Sequence, residues 1–342
     1  MIAKNVAAYL IIFISVIALL VLGKSLLIPF ILGLLIWFLI VEFRTLLLKI
    51  PFIGSKLPAW FWTFASAILL FLLCGLAINV LIENIKELSK QIPNYEANIK
   101  MVNSNIDQTF GVNVFESITD YAGDFKLSKL FSPILNSISD LFSNAFMIVL
   151  YVLFLILEES VFRTKLKKVF PENKKFDDIT VILEKIKTST SNYITLKTII
   201  SLITGVASYF ALVIIGVDTP IFWAFLIFLM NFIPTIGSLI GTLFPAVIAL
   251  LQFGDLLHFG LVLGVVGIIQ VIIGNFVEPK LMGNNLNLSP LVVILALSFW
   301  GALWGITGMI LSVIITVIMV ILFSQFKATK PIAIFLSEKG NI

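Results

Sequence analysis

Across residues 199–326 the only formally charged side chains are Asp218, Asp255, Glu278 and Lys280. A charge at the centre of a bilayer is opposed by ~2.5–3.5 kcal/mol on insertion scales, so such residues pair, face water or line a transport route. Glu278 and Lys280 flank Pro279 at the end of an otherwise uncharged apolar stretch. Two chemistries suit them: Glu278 as a proton or cation ligand, or Glu278 and Lys280 as partners in a gate. A fixed charge pair at an interfacial helix end suits them equally well. Asn275 stands three residues before Glu278 and shares its helix face, with Gln270 further back on the same helix. Asn231, Thr235 and Ser238, with Thr307 further along, offer amide and hydroxyl contacts to a polar cargo. Each of these, taken singly, also suits a hydrogen bond between helices. Asp218, close to Pro220, reads as a turn residue. Asp255 and His258 share a short loop, where solvation explains them better than pH sensing does.

The elements that must position these residues are unusually long. Pro220–Leu251 and Pro290–Phe323 are apolar runs of 32 and 34 residues. Straight helices of that length would reach ~48–51 Å at 1.5 Å per residue, against a hydrocarbon core of ~30 Å. Each run is interrupted near its middle. The first break is Asn231-Phe232-Ile233-Pro234-Thr235-Ile236-Gly237-Ser238, with Gly241 just beyond; the second extends from Gly301 through Trp304-Gly305-Ile306-Thr307-Gly308. Pro234, Gly237, Gly241, Pro279, Gly305 and Gly308 are the candidate hinges. The layouts correspond, because Pro220 and Pro290 are followed fourteen residues later by Pro234 and Trp304. Paired interrupted hydrophobic segments point to a transport site. Two topologies stay open, six full crossings with two re-entrant hairpins or eight full crossings, and segment length favours hairpins.

Composition fixes the solvent. The chain is 60% hydrophobic and 12% charged with 31 Phe, whereas soluble domains are near 45–50% apolar and about 25% charged. An ordinary cytosolic enzyme is excluded. One cysteine and one histidine exclude a disulfide framework and zinc, haem or iron–sulfur centres built from those ligands, so no cofactor is expected. Cys74, mid-helix among leucines, reads as a packing residue. The net charge of +4 is not pooled in an aromatic-laced patch, so nucleic acid is not a partner. No Walker motif, no His-Glu metal motif and no Gly-x-Ser-x-Gly elbow is present, so neither ATP-driven pumping nor intramembrane catalysis is expected.

Five further runs, 6–22, 25–41, 60–82, 141–157 and 198–216, are long enough to cross a bilayer. Lys4 precedes the first without a small-residue cleavage site, so that run reads as a retained helix. Loop 42–59 carries Arg44, Lys49 and Lys56 against Glu42, and 158–197 carries nine Lys/Arg against six acids. Segment 83–140 has five Lys against eight acids. By the positive-inside rule 42–59, 158–197 and both termini are cytoplasmic and 83–140 is external. The expected fold is an all-α polytopic membrane protein of about eight membrane segments with a helical extramembrane insertion. Its parts are 1–82, three spans; 83–140, the insertion; 141–157, the fourth span; 158–197, a basic amphipathic surface segment; 198–326, the transport core; and 327–342, a tail.

Within the insertion Leu81, Ile85, Leu88, Ile92, Tyr95, Ile99, Val102 and Ile106 follow alternating spacings of four and three, a heptad seam that needs a partner helix. Pro93 predicts that one helix ends near Ile92 and another begins there. Leu127, Leu130, Ile134, Ile138 and Leu141 form a candidate partner stripe. A seam between subunits, giving a homo-oligomer, is the alternative.

The stretches NFIPTIGSLIGTLFPAVIAL, GNFVEPKLMGNNLNLSPLVVILAL and GALWGITGMILSV resemble the autoinducer-2 exporter (AI-2E) family of bacterial permeases, specifically over residues 231–312 and in hydropathy over nearly the whole chain. The resemblance implies a multi-pass inner-membrane transporter of small molecules, with autoinducer-2 the eponymous cargo; some relatives are described as sodium/proton antiporters. A non-transporting scaffold that binds a partner through 83–140 is the reading from another class. One departure is that Ser312-Val313-Ile314-Ile315 lacks the proline common after Gly-Met-Ile-Leu, which puts a proline-dependent hinge there in doubt.

Overall fold

The computed structural model describes residues 2–49, 57–110, 144–282 and 287–340, and among these every regular element is helical. In chain order the helices are α1 (Ile2–Leu22), α2 (Lys24–Leu48), α3 (Ala59–Phe110), α4 (Ala145–Val169), α5 (Asn173–Ile215), α6 (Pro220–Met230), α7 (Ile236–Phe253), α8 (Leu256–Ile272), a π turn (Ile273–Val277), α9 (Glu278–Met282), α10 (Pro290–Gln325) and α11 (Lys330–Leu336). Seven helical stretches are long and apolar enough to cross a membrane, and Leu10–Leu22 and Pro220–Met230 are shorter apolar helices. This is an all-α polytopic membrane protein.

The described residues fall into two compact units, one of residues 2–67, 144–193 and 287–340, the other of 68–110 and 194–282. Helices α3 and α5 each contribute to both. Two boundaries and one side-chain environment differ from expectation. Helix α3 runs unbroken past Pro93 to Phe110, because a proline removes one backbone hydrogen bond and bends a helix without having to end it. No helix boundary falls at 158 or 197: α4 continues to Val169, α5 starts at Asn173, and each is continuous with an apolar stretch. Cys74 is exposed rather than packed. The stripe from Leu127 to Leu141 lies outside the described residues.

In the first unit, Trp300, Trp304, Ala296 and Leu311 of α10 pack against Leu20 of α1 and Leu27, Ile28, Ile31, Leu32 and Leu35 of α2. The Trp304 indole N–H donates to the Leu20 carbonyl at 3.0 Å, satisfying one of the terminal carbonyls that lack an intrahelical partner. Arg44 binds Glu159 at 2.7 Å and donates to the Thr63 hydroxyl at 3.0 Å. Its charge is therefore paired within the fold.

Both interrupted segments reverse direction. Gly305 has φ 62° and ψ −143° inside α10, a conformation open to glycine and strained for other residues. On the far side of that break, a Cβ on Gly308 would lie 1.9 Å from the Trp300 carbonyl oxygen. Residues eight apart in one straight helix are separated by ~12 Å along the axis, so α10 is two helices folded back on each other at Gly305. In the second unit, α6 and α7 flank the break at 231–235, and a Cβ on Gly237 would lie 1.7 Å from the Met230 carbonyl oxygen. The open end of this hairpin is closed by Gln252, which accepts from the Asp218 N–H at 2.7 Å and donates to the Gly216 carbonyl at 2.8 Å. With 11 residues, α6 is only ~16 Å long, about half the hydrocarbon core. The reversals favour six crossings with two re-entrant hairpins over eight full crossings.

The close approaches give a sharp steric expectation. Gly237→Ala and Gly308→Ala should each destabilise the detergent-solubilised protein by about 2–4 kcal/mol or prevent folding, because the methyl group meets rigid backbone. Gly260→Ala and Gly264→Ala, where a Cβ meets nothing within 4 Å, should leave the thermal midpoint within a few degrees. Thermal unfolding of the four variants checks this.

Candidate functional site

The first break is built from local chemistry. Pro234 has no amide to continue α6, and the chain turns at Thr235, with φ 62° and ψ −56°. The Ile236 N–H donates to the Pro234 carbonyl across this residue at 2.6 Å. This is a γ-turn of the rarer, strained hand, on a β-branched residue. A strained backbone of this kind costs of order 1–3 kcal/mol and persists where the surroundings enforce it, often at functional sites. The Ser238 hydroxyl donates to the Thr235 carbonyl at 2.8 Å, and the Thr242 hydroxyl to the Ser238 carbonyl at 2.8 Å. The amide of Asn231, a residue only 8% exposed, donates to the Ser201 hydroxyl on α5 at 3.1 Å.

A second irregularity faces the first. The π turn at Ile273–Val277 sits between α8 and α9, and the Glu278 N–H reaches back five residues to the Ile273 carbonyl. Pro279 explains it, because a proline ring crowds the carbonyl four residues earlier, and widening the turn relieves that contact. The widening also changes register. Positions eight apart on an α-helix are displaced by about 80° around the axis, and one π turn absorbs an extra residue. Gln270, Gly274 and Glu278 are thereby brought towards one face.

Between these elements is a cavity of about 350 Å³, lined by Lys197 of α5, Asn231, Ile233, Pro234 and Thr235 of the break, Ser238 of α7, Gln270 of α8, Val271, Gly274, Asn275 and Glu278. Lys197 Nζ lies 2.5 Å from Glu278 Oε1, with the lysine side chain 4% exposed and the glutamate 25%. Within hydrocarbon each charge alone is unfavourable, and their pairing in a polar cleft is what makes both tolerable. Gln270 Nε2 is buried without a hydrogen-bond partner among the described residues. It abuts Gly241, where a Cβ would lie 3.3 Å away, so Gly241 leaves the room that the amide occupies. At the tip the carbonyl end of α6 meets the amide end of α7, placing acceptors and donors side by side at the cavity wall.

Six of the residues singled out from sequence, Glu278, Asn275, Gln270, Asn231, Thr235 and Ser238, line this one cavity, as does Pro234. Two do not. Lys280 is exposed and outside it, because residues two apart on a helix point in different directions; the partner of Glu278 is Lys197. Thr307 belongs to the other unit, next to the Gly305 reversal. Sequence reasoning misses Lys197, which stands among the nine basic residues of 158–197. Its signal was a polar row, Lys197, Ser201, Thr204 and Ser208, at spacings of four, three and four in an apolar helix, and all four are at most 3% exposed. Asp255 accepts from the His258 N–H at 2.8 Å and caps α8. That backbone hydrogen bond holds its carboxyl below the usual carboxylate range.

The ion pair predicts non-additive mutations. Glu278→Gln and Lys197→Met should each destabilise the protein by about 3–5 kcal/mol, since each leaves a buried charge unpaired, and the double variant should recover most of the loss. Denaturation of the three variants in one detergent measures this. Losses that simply add would mean that the pair is not coupled.

The AI-2E family transporter profile matches residues 10–328. The chain is 31% identical to the AI-2 transport protein TqsA of Escherichia coli over 277 residues, covering 80% of this chain and 77% of that protein. It is 30% identical to a Haemophilus influenzae protein, provisionally named a transport protein, over 292 residues, 83% of each chain. A Borreliella burgdorferi protein with the same provisional name is 30% identical over 256 residues, covering 73% of this chain and 68% of that one. With the family profile spanning nearly its full length, this multi-pass membrane protein belongs to the AI-2E transporter family.

Proposed function

We propose that the chain is a secondary exporter of a small polar solute of the autoinducer-2 type across the bacterial inner membrane, with Lys197–Glu278 and the hairpin tip forming the solute site. The observation that carries this reading is the coincidence of a strained helix break, a π turn and a largely buried ion pair around one cavity. A solute rich in hydroxyl groups would find donors in Lys197, Asn275 and Gln270 and acceptors in Glu278 and the carbonyls of the break. The similarity to TqsA, whose name assigns it AI-2 transport, supports the cargo class. In this reading no bond is made or broken, and the chain is not an enzyme. The termini are cytoplasmic and the α3 extension is external, following the loop charges. A homo-oligomer through the heptad seam is the alternative to the seam packing within one chain.

A second reading, sodium (or lithium)/proton antiport, is favoured by one specific feature. Glu278 is a carboxylate whose counter-ion is a lysine, so a cation or proton arriving in the cavity would compete with Lys197 for the same oxygens. A partner-binding scaffold, the reading from another class, predicts no flux of either kind and loss of a complex when Ile99 and Val102 become Asp.

Proteoliposomes separate these readings. Autoinducer-2 export should be measurable with the parent protein, and Glu278→Gln should lower it by about tenfold or more, the effect of a barrier raised by roughly 1.4 kcal/mol. Lys280→Gln should stay within about twofold of the parent on the same scale. Sodium-dependent proton movement without autoinducer-2 flux would establish the antiporter instead. Undiminished flux in Glu278→Gln would remove the cavity from the pathway.

A further inference from the structure

Helix α3 is 52 residues long, and its apolar stretch ends near Leu88. Just beyond that point two of its polar side chains turn onto the open end of the α6–α7 hairpin. The Tyr95 hydroxyl donates to Asp218 Oδ2 at 2.8 Å, and the residue is only 2% exposed. The Asn98 amide donates to the carbonyls of Leu251 at 2.9 Å and Gln252 at 2.8 Å. These are the last carbonyls of α7, which have no partner within the helix. Burial, reinforced by the Asp218 carboxylate, pushes the Tyr95 phenol above its ordinary range, so it remains a protonated donor. Asp218 and Gln252, two of the three residues held, are also those that join the start of α6 to the end of α7.

We propose that Tyr95 and Asn98 are positioning residues, which hold the mouth of the α6–α7 hairpin and thereby set the depth of its tip and the access to the cavity. The inference rests on the reading that this cavity is the transport site. The physical argument is stiffness. Helix α6 has 11 residues and is packed along α7, so the hairpin moves as one short element. Its tip is tied to α5 by the Asn231–Ser201 hydrogen bond. At the other end, the hydrogen bonds of Tyr95 and Asn98 tie the mouth to α3, beside those that Gln252 makes to Asp218 and Gly216. A displacement of the α3 arm therefore reaches the cavity through the hairpin, without any contact between the arm and a solute. A purely structural role for the two side chains would lower stability and leave tip access unchanged.

The test uses the full chain in native membranes with Cys74→Ser as background and reads thiol accessibility, so it needs no cargo. Ser238→Cys reports the tip through its rate of modification by a water-soluble methanethiosulfonate, and Ser160→Cys in the other unit serves as control. Tyr95→Phe, and Tyr95→Phe with Asn98→Leu, should change the Ser238→Cys rate by about threefold or more, the signature of a shifted two-state population. The control rate should not change. An unchanged rate at the tip overturns the proposal. Geometry supplies an independent check, because a Cβ at Gly254 would lie 3.8 Å from Asn98 Cβ, the mean separation in a disulfide. Asn98→Cys with Gly254→Cys should cross-link on oxidation, and failure to do so in protein that remains folded also overturns it. Should accessibility respond while autoinducer-2 flux is absent, the transport reading falls and the positioning role stands.

Discussion

Hydrocarbon offers no hydrogen-bond partners, so every backbone amide and carbonyl at membrane depth must be satisfied by protein or by water in a cavity. The architecture of this chain follows from how two violations of helical continuity meet that demand. At Pro234–Thr235 the chain cannot continue as a helix; the γ-turn takes up the Pro234 carbonyl, the Ser238 hydroxyl donates to the Thr235 carbonyl, and the break opens on the cavity. At Gly305 the reversal is closed by packing so tight that only glycine fits at 308. Polar groups gather where the helices break because only there can they be solvated.

The ion pair obeys the same constraint. Lys197 is almost fully buried, and its positive charge is acceptable because Glu278 lies against it in a polar cleft. Glu278 reaches that position through a π turn that Pro279 makes favourable. A proline that reads in sequence as a helix end thus acts as a register device, rotating the carboxylate onto the face that carries Gln270 and Gly274. Strain at Thr235 and an unpartnered amide on Gln270 in the same cavity mean that the resting arrangement keeps unmet interactions, which a bound solute or a shift of the hairpin can satisfy.

Much of this was legible in the sequence where the cause is local. Asn231-Phe232-Ile233-Pro234 and Trp304-Gly305 are breaks whatever surrounds them, and runs of 32 and 34 residues are too long for single straight spans. Three polar residues at the first break and three on the helix that ends at Glu278 converge on one cavity. What escaped depends on register or on distant contacts. The partner of Glu278 is 81 residues away, on a helix whose polar row was masked by its position at the end of a basic segment. Lys280 was the nearer cation in sequence, but the helix points it elsewhere. Pro93 reads as a boundary, yet α3 continues through it and is anchored by Tyr95 and Asn98 on a hairpin more than a hundred residues downstream. No sequence pattern marks a π turn.

The central claim is that the interrupted segments turn back within the membrane instead of crossing it. Substituted-cysteine mapping with a membrane-impermeant maleimide tests it directly, in a Cys74→Ser background with single cysteines at Asp218 and Asp255, then at Ser289 and Phe326. Re-entrant hairpins predict that both members of each pair react from the same face of the membrane. Labelling of the two members of a pair from opposite faces would show that the segment spans the bilayer and would contradict the account.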